Sequence, residues 1–330
     1  MNEQIDLQTQ LNLTRDKISA LESEIAKVLV GQRQVVRQAI IAMLARGCVL
    51  FEGVPGLGKT LLVRSLAQAI SGKFARIQFT PDLMPADVTG TNILVEDDNG
   101  RRRFDFQPGP LFANIVLADE INRATPKTQS ALLEAMQEHS VTTGGVTRAL
   151  PEMFFVLATQ NPLDQEGVYP LPEAQLDRFF CKIVVPYPTT EELVQITRDH
   201  TARTQTQLQP VLTPEDVLSA SALAEKLPIA EELLNYLVRI VRATRPEEQN
   251  APESVKRFVR YGCSPRAAIS LSLGAKISAM LDGRYNVAKK DLLDVAPAIL
   301  RHRIVLNFEG QAENVSSDAI VQDVLQFVKL

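Results

Sequence analysis

Residues 53–60 read Gly53-Val54-Pro55-Gly56-Leu57-Gly58-Lys59-Thr60: a glycine, four residues, then Gly-Lys-Thr. The glycines let main-chain N–H groups turn inward on a chain of phosphates, Lys59 at this spacing can reach β and γ oxygens, and the Thr60 hydroxyl beside it can bind Mg²⁺. Further along, Asp119-Glu120 closes the apolar run Ile115-Val116-Leu117-Ala118. With a triphosphate at Lys59, Asp119 can hold its Mg²⁺ and Glu120 can polarise the attacking water. Asn161 stands just beyond a second apolar run, residues 154–158, where it can donate to a γ-phosphate or orient a water. An asparagine before a proline also starts ordinary turns, and for Asn161 taken alone both readings stay open. Residues of these types, in this order, point to hydrolysis of a nucleoside triphosphate.

Such groups need rigid elements behind them. Residues 48–51 are apolar, and Leu61, Leu62, Leu66 and Ala69 recur at helical spacing, so the loop is predicted to join a strand to a helix. Residues 74–79, 114–118, 154–158 and 182–185 read as further strands, and the alternation with helices implies a parallel sheet whose carboxyl ends form the ligand crevice. Thr125-Pro126 reads as a cap followed by a first-turn proline, which leaves Asp119 and Glu120 no capping task. Ahead of the loop, Leu7, Leu11, Ile18, Leu21, Ile25 and Val28 mark one amphipathic helix with Thr14 in its seam. Three heptads are short for an independent coiled coil, so this helix is expected to pack on the domain that carries the loop. Gly31-Gln32 then interrupts before a second helical run, residues 35–44.

Two hairpins are predicted. Asn99-Gly100 is a favoured two-residue turn that would set Asp98 opposite Arg101, Asp97 opposite Arg102, Glu96 opposite Arg103 and Val95 opposite Phe104. Arg101, Arg102 and Arg103 then read as cross-strand partners of acids rather than as a phosphate patch. Gly144-Gly145 would set Thr143 opposite Val146, Thr142 opposite Thr147 and Val141 opposite Arg148. From residue 189 the pattern turns to helices without a convincing strand: 191–201, 216–227, 232–244, 267–281, 290–301 and 317–328. Ser264-Pro265 opens one of them and leaves Arg266 in the first turn, where a cation opposes the helix dipole and is therefore read as placed for an anion.

The chain has 330 residues, enough for two domains, and its formal net charge of -4 argues against a general nucleic-acid or membrane-surface binder. Cys48, Cys181 and Cys263 lie far apart, with no metal-ligand spacing and an odd count, which fits a reducing cytoplasm. The polar start shows no signal-peptide pattern and no run is apolar enough for a bilayer, so a cytoplasmic protein without membrane insertion is expected. His139, His200 and His302 are scattered and are assigned to surface or packing.

Taken as a set, these residues resemble those of AAA+ ATPases and, within them, the MoxR family. The carriers are residues 53–60, Leu117-Ala118-Asp119-Glu120-Ile121-Asn122-Arg123-Ala124, Gln160-Asn161-Pro162, residues 171–179 and Gly262-Cys263-Ser264-Pro265-Arg266; the family often has alanine at the place of Cys263. The resemblance implies a P-loop NTPase fold of the α/β class, an AAA+ core with a central parallel sheet followed by an all-α lid, divided as 1–28, 29–187 and 188–330. It implies ATP and Mg²⁺ as cofactors, with Gly53, Val54, Pro55, Gly56, Leu57, Gly58, Lys59, Thr60 and Leu61 around the phosphates and Gly31 and Gln32 near the adenine. Thr60 and Asp119 would hold the metal. Glu120 would be the Walker B acid that activates water, Asn161 sensor 1, Arg178 the arginine finger reaching a neighbour's nucleotide, and Arg266 sensor 2. The two hairpins would be the helix-2 insert and the pre-sensor-1 hairpin, facing the pore of a ring. Hexameric ATP-driven chaperones that act on client protein complexes, often with a von Willebrand factor A domain partner, are what the family suggests. Alternatives are a nucleic-acid motor of the same branch, disfavoured by the acidic balance, a magnesium-chelatase-like subunit, and an ATP-binding switch that does not turn over. The absence of an Asn-Lys-x-Asp signature disfavours GTP.

Overall fold

The computed structural model describes residues 2–54, 56–96, 102–161, 167–201 and 207–330, with side chains from residue 8 onward, His200 excepted. In chain order the first elements are α1 (Asn2–Ala26), α2 (Arg33–Leu44), β1 (Val49–Glu52), α3 (Lys59–Ala69), β2 (Phe74–Gln78), α4 (Pro85–Thr89), β3 (Gly90–Glu96), β4 (Arg102–Pro108) and β5 (Ile115–Asp119). There follow α5 (Pro126–Glu138), β6 (Ser140–Thr143), β7 (Val146–Ala149), β8 (Phe155–Gln160), α6 (Glu173–Leu176) and β9 (Cys181–Val184). Beyond these lie α7 (Thr190–Thr201), α8 (Pro214–Glu225), α9 (Glu231–Ala243), α10 (Glu253–Phe258), β10 (Val259–Tyr261), α11 (Pro265–Leu281), α12 (Lys289–Leu300), β11 (Val305–Leu306), α13 (Phe308–Ala312) and α14 (Ser317–Phe327).

The strands β2-β5-β8-β1-β9 form one sheet in that order, every pair parallel. Alternation along each strand sends side chains to two faces. Val49, Phe51, Ile115, Leu117, Phe155, Leu157 and Ile183 share one core with α1, α2, α3 and the buried faces of α8, α9, α11 and α12. Leu50, Val116, Ala118, Val156 and Ala158 point the other way, onto Leu132, Leu133 and Met136 of α5. The core on the first face is therefore continuous from the sheet into the helical region. Leu11, Ile18, Leu21 and Ile25 of α1 are buried in it, so this helix packs on the rest of the chain as expected; Leu7 lies outside the described side chains.

The second hairpin has the predicted register: Thr143 faces Val146, Thr142 faces Thr147 and Val141 faces Arg148. The first one departs from it. Glu96 faces Arg102, Val95 faces Arg103 and Leu94 faces Phe104, one residue off the register that an Asn99-Gly100 turn would impose. Asn99-Gly100, Asp97, Asp98 and Arg101 lie outside the described residues. The reason sits at the other end of the ladder, where Gly90 and Gly109 cross so closely that a Cβ on Gly90 would stand 2.4 Å from the Gln107 carbonyl oxygen and one on Gly109 2.4 Å from the Gly90 nitrogen. That close approach holds the base in one alignment, and a single-residue slip would invert both faces. The observed alignment leaves Leu94 and Phe104 directly opposite each other and 55% and 76% exposed. Phe106, on the same face nearer the base, lies under the Arg148 guanidinium at 3.8 Å, which ties one hairpin to the other.

Two further expectations are corrected. Thr125 does occupy the position before α5 and Pro126 its first turn, but the Thr125 side chain caps no main-chain N–H; its hydroxyl lies 3.4 Å from that of Thr128, which donates to the Leu83 carbonyl. The helical region also contains a strand pair, β10 antiparallel to β11, too short to leave an alternating pattern in the sequence. Ser264 behaves as read: its hydroxyl accepts from the Arg266 N–H at 3.2 Å, with Pro265 in the first turn.

Candidate active site

The carboxyl ends of β1, β5 and β8 open on a cleft of about 540 Å³ lined by Gly56, Gly58, Lys59, Thr60 and Leu61 on one side and by Asp119, Glu120, Thr159 and Asn161 on the other. Gly56 and Gly58 have φ of +86° and +78°, left-handed values that let the loop turn back over the start of α3. Gly53 supplies a carbonyl that accepts from Lys59 Nζ at 2.6 Å. Burial holds the Lys59 ammonium below its ordinary pKa, while the carboxylates of Asp119, Glu120 and Glu52 pull it back up. A triphosphate entering there meets a half-desolvated cation at a helix N-terminus. Val54 packs against the core, Leu57 is buried, and Pro55 lies outside the described residues. Gln32 reaches the same loop: like Gly31 it is left-handed, and its Nε2 donates to the Leu57 carbonyl at 3.0 Å. Gly31 is pressed by the Glu192 carboxylate at the start of α7, and a Cβ there would lie 2.0 Å from its Oε1.

Facing the loop, one hydroxyl organises both acids. Thr159, 1% exposed, donates from Oγ1 to Asp119 Oδ1 at 2.6 Å and accepts from the Glu120 N–H at 2.8 Å. Glu120 needs the support: its φ of +57° is left-handed and costs a non-glycine residue of order 1–3 kcal/mol. Asp119 Oδ2 accepts from Arg76 at 2.7 Å, and Glu120 Oε2 accepts from Gln78 at 2.9 Å and Arg123 at 3.0 Å. The sequence pattern gives no role to Thr159, Arg76 or Gln78, and includes Arg123 only as part of the motif at residues 117–124. A polar residue closing a buried strand was the available signal for Thr159; the other three depend on β2 lying beside β5 and on the tight 3₁₀ turn after Glu120. Asn161 is buried and lines the cleft.

A hydroxyl and a carboxylate, Thr60 and Asp119, present hard oxygens of the kind Mg²⁺ takes alongside substrate phosphates. Two such oxygens leave most of an octahedral shell to phosphates and water, so this donor set fits a Mg²⁺ ion shared with a nucleotide.

Arg178 and Arg266 stand elsewhere. Arg178 is exposed, donates to the Leu133 carbonyl at 3.3 Å and lines a separate concavity with Glu134 and Glu138 of α5. Arg266 lies 3.5 Å from Asp177, the neighbour of Arg178. Neither lines the Lys59 cleft.

Residues 48–181 match the family described as "ATPase family associated with various cellular activities (AAA)", and residues 252–324 match "AAA lid domain". "Chaperone MoxR1" of Mycobacterium tuberculosis is 45% identical over 307 residues, which is 93% of this chain and 80% of that one. The chain belongs to the MoxR family of AAA+ ATPases. "Protein MoxR" of Methylorubrum extorquens is 33% identical over 93% of each chain. A crystal structure of a Cytophaga hutchinsonii protein superposes with a TM-score of 0.92 at 41% identity, covering 100% of this chain and 99% of the other. As in AAA+ proteins generally, this MoxR chain is a P-loop core followed by a helical lid.

In this MoxR chain the seam between core and lid is built on buried polar groups. His302, after α12, is buried and its Nε2–H donates to the Phe179 carbonyl at 3.1 Å, while Nδ1 has no partner among the described residues. Burial, then the charges of Arg303, Lys182 and Arg301, push its pKa well below the ordinary value. The unfolded chain binds this proton near pH 6.5 and the native chain only at lower pH, so stability falls as pH drops through about 6.5. The melting temperature should decline between about pH 7.5 and 5.5, more steeply than in His302→Gln; equal slopes in calorimetry would refute the assignment. Cys48, Cys181 and Cys263 are buried with thiols pushed up to about 12, unreactive packing groups. Among the described residues no helix is long and apolar enough to cross a membrane.

Proposed function

We propose that this MoxR protein is a Mg²⁺-dependent ATPase of the helix-2-insert branch that works as a ring, hexameric by family resemblance, and remodels client protein complexes in the cytoplasm with a von Willebrand factor A domain protein as partner. The observation that carries the reading is the division of the site: one cleft gathers Lys59, Thr60, Asp119, Glu120 and Asn161, while Arg178 and Arg266 sit around Asp177, away from it. The arginine that does line this cleft, Arg76, is held by Asp119, so the one that meets the transferring phosphoryl group is read as a neighbour's.

In this reading the loop N–H groups and Lys59 bind the phosphates, and Thr60 and Asp119 would hold a Mg²⁺ ion, which would supply positive charge to offset that of the triphosphate. The Asp119 carboxylate, which accepts from the Arg76 guanidinium, would be the acid that meets this ion. Glu120 orients the attacking water, Asn161 reports the γ-phosphate, Arg178 of the adjacent subunit balances the charge that builds up on the transferring group, and Arg266 serves as sensor 2. The exposed Leu94 and Phe104 give the first hairpin an apolar surface suited to gripping a client.

The test combines phosphate release with native mass spectrometry. Turnover is expected with ATP and Mg²⁺, to vanish with EDTA, and to rise with protein concentration as ring-sized species appear. Full turnover by a monomer, at concentrations where no larger species exists, would overturn the ring reading.

A further inference from the structure

One cation lies deep in the seam between lid and core. The Arg303 side chain, just beyond α12, is 2% exposed. Its guanidinium donates to Asp177 Oδ1 at 3.0 Å and to the carbonyls of Phe179 at 2.7 Å, Phe180 at 3.1 Å and Asp177 at 3.4 Å, besides that of Ile299 in α12. His302 adds its bond to the Phe179 carbonyl, and Ser264 Oγ lies 3.0 and 2.9 Å from the two oxygens of Asp177. Three of the four main-chain carbonyls in residues 177–180 thus accept from lid residues, and Arg178 lies within that stretch.

Holding a cation out of water is expensive, and apolar residues of similar volume often pack such a seam at least as stably. What an apolar residue cannot do is grip several carbonyls and a carboxylate at once, which the planar, five-donor guanidinium can. The gripped segment is short and bears the exposed arginine that the cleft of its own subunit does not use.

We propose that Arg303 is a positioning residue that makes the segment carrying Arg178 move with the lid, so that the posture of one subunit's lid sets where its arginine stands in the next subunit's site. This rests on the reading of Arg178 as a finger acting in trans. Loss of Arg303 therefore harms the subunit that donates the arginine and spares the one that receives it.

The experiment uses that direction. Full-length Lys59→Ala, which can only donate, is mixed with full-length Arg178→Ala, which can only receive, and Arg303→Met is added to one partner at a time. Displacement of a reacting group by about 1 Å costs on the order of 10²-fold, so rescue of phosphate release should fall about 100-fold with Arg303→Met in the donor and stay within about threefold with it in the receiver. Thermal melting and binding of a fluorescent ATP analogue to the receiver check folding. Where the methionine variant does not fold, Arg303→Lys keeps a charge beside Asp177 but loses the fork, and the same asymmetry is expected. Equal losses in both arms, or none in either, would overturn the clamp and leave the trans finger standing. No rescue in the parent mixture would overturn the finger itself, and the clamp with it.

Discussion

Glu120→Gln is expected to lower steady-state ATP turnover by about 10² to 10⁴-fold, the range that a lost general base usually costs, while ATP affinity stays within a few-fold of the parent. The substitution removes a charge and little else. A glutamine at 120 still offers an oxygen to Gln78 and Arg123, and the left-handed backbone is held by Thr159 through the main-chain N–H, which the change does not touch. Lys59, Thr60 and Asp119 remain to bind phosphates and metal. Phosphate release and titration with a fluorescent ATP analogue separate the two effects; turnover within a few-fold of the parent would remove Glu120 from the role of activating water, and loss of binding would make it a structural residue of the cleft.

Mixing Arg178→Ala with Lys59→Ala should restore activity that neither protein has alone. Fingers supplied in trans contribute about 10³ to 10⁵ in turnover elsewhere, so the arginine variant should be nearly silent, and the lysine variant cannot hold the triphosphate. In a head-to-tail ring each interface pairs one subunit's cleft with its neighbour's Arg178, so random mixing leaves about a quarter of interfaces intact at equal proportions. Phosphate release plotted against mixing ratio should therefore peak near equality. Arg178 is exposed, outside the Lys59 cleft, and its described hydrogen bond runs to the Leu133 carbonyl at 3.3 Å, a tether weak enough to give up for a phosphate. A flat response, with mixed rings verified by co-purification through a tag on one partner, would exclude action in trans.

What the sequence by itself determined were the features written in local chemistry. The spacing of Gly53, Gly58, Lys59 and Thr60 specifies a loop because glycine permits the left-handed turns and the lysine must follow them directly. Apolar runs ended by Asp119-Glu120 and Asn161 locate the crevice edge, since a fully buried strand has one way to present a polar group to it. Gly144-Gly145 sets its hairpin's register because the turn is the tightest constraint on those short strands, and Ser264-Pro265 starts α11 because both residues act within one turn. Tertiary structure alone decided the rest. Asn99-Gly100 carries the same local signal as Gly144-Gly145, yet the first hairpin takes its alignment from the crossing of Gly90 and Gly109, a contact 19 positions apart that no turn propensity reports. Arg76, Gln78 and Thr159 reach the two acids only because β2 and β8 flank β5. Arg303 looks like any surface arginine in the chain; its burial over residues 177–180 follows from the lid's docking on the sheet, and a long-range contact of that kind has no period, cap or turn to announce it.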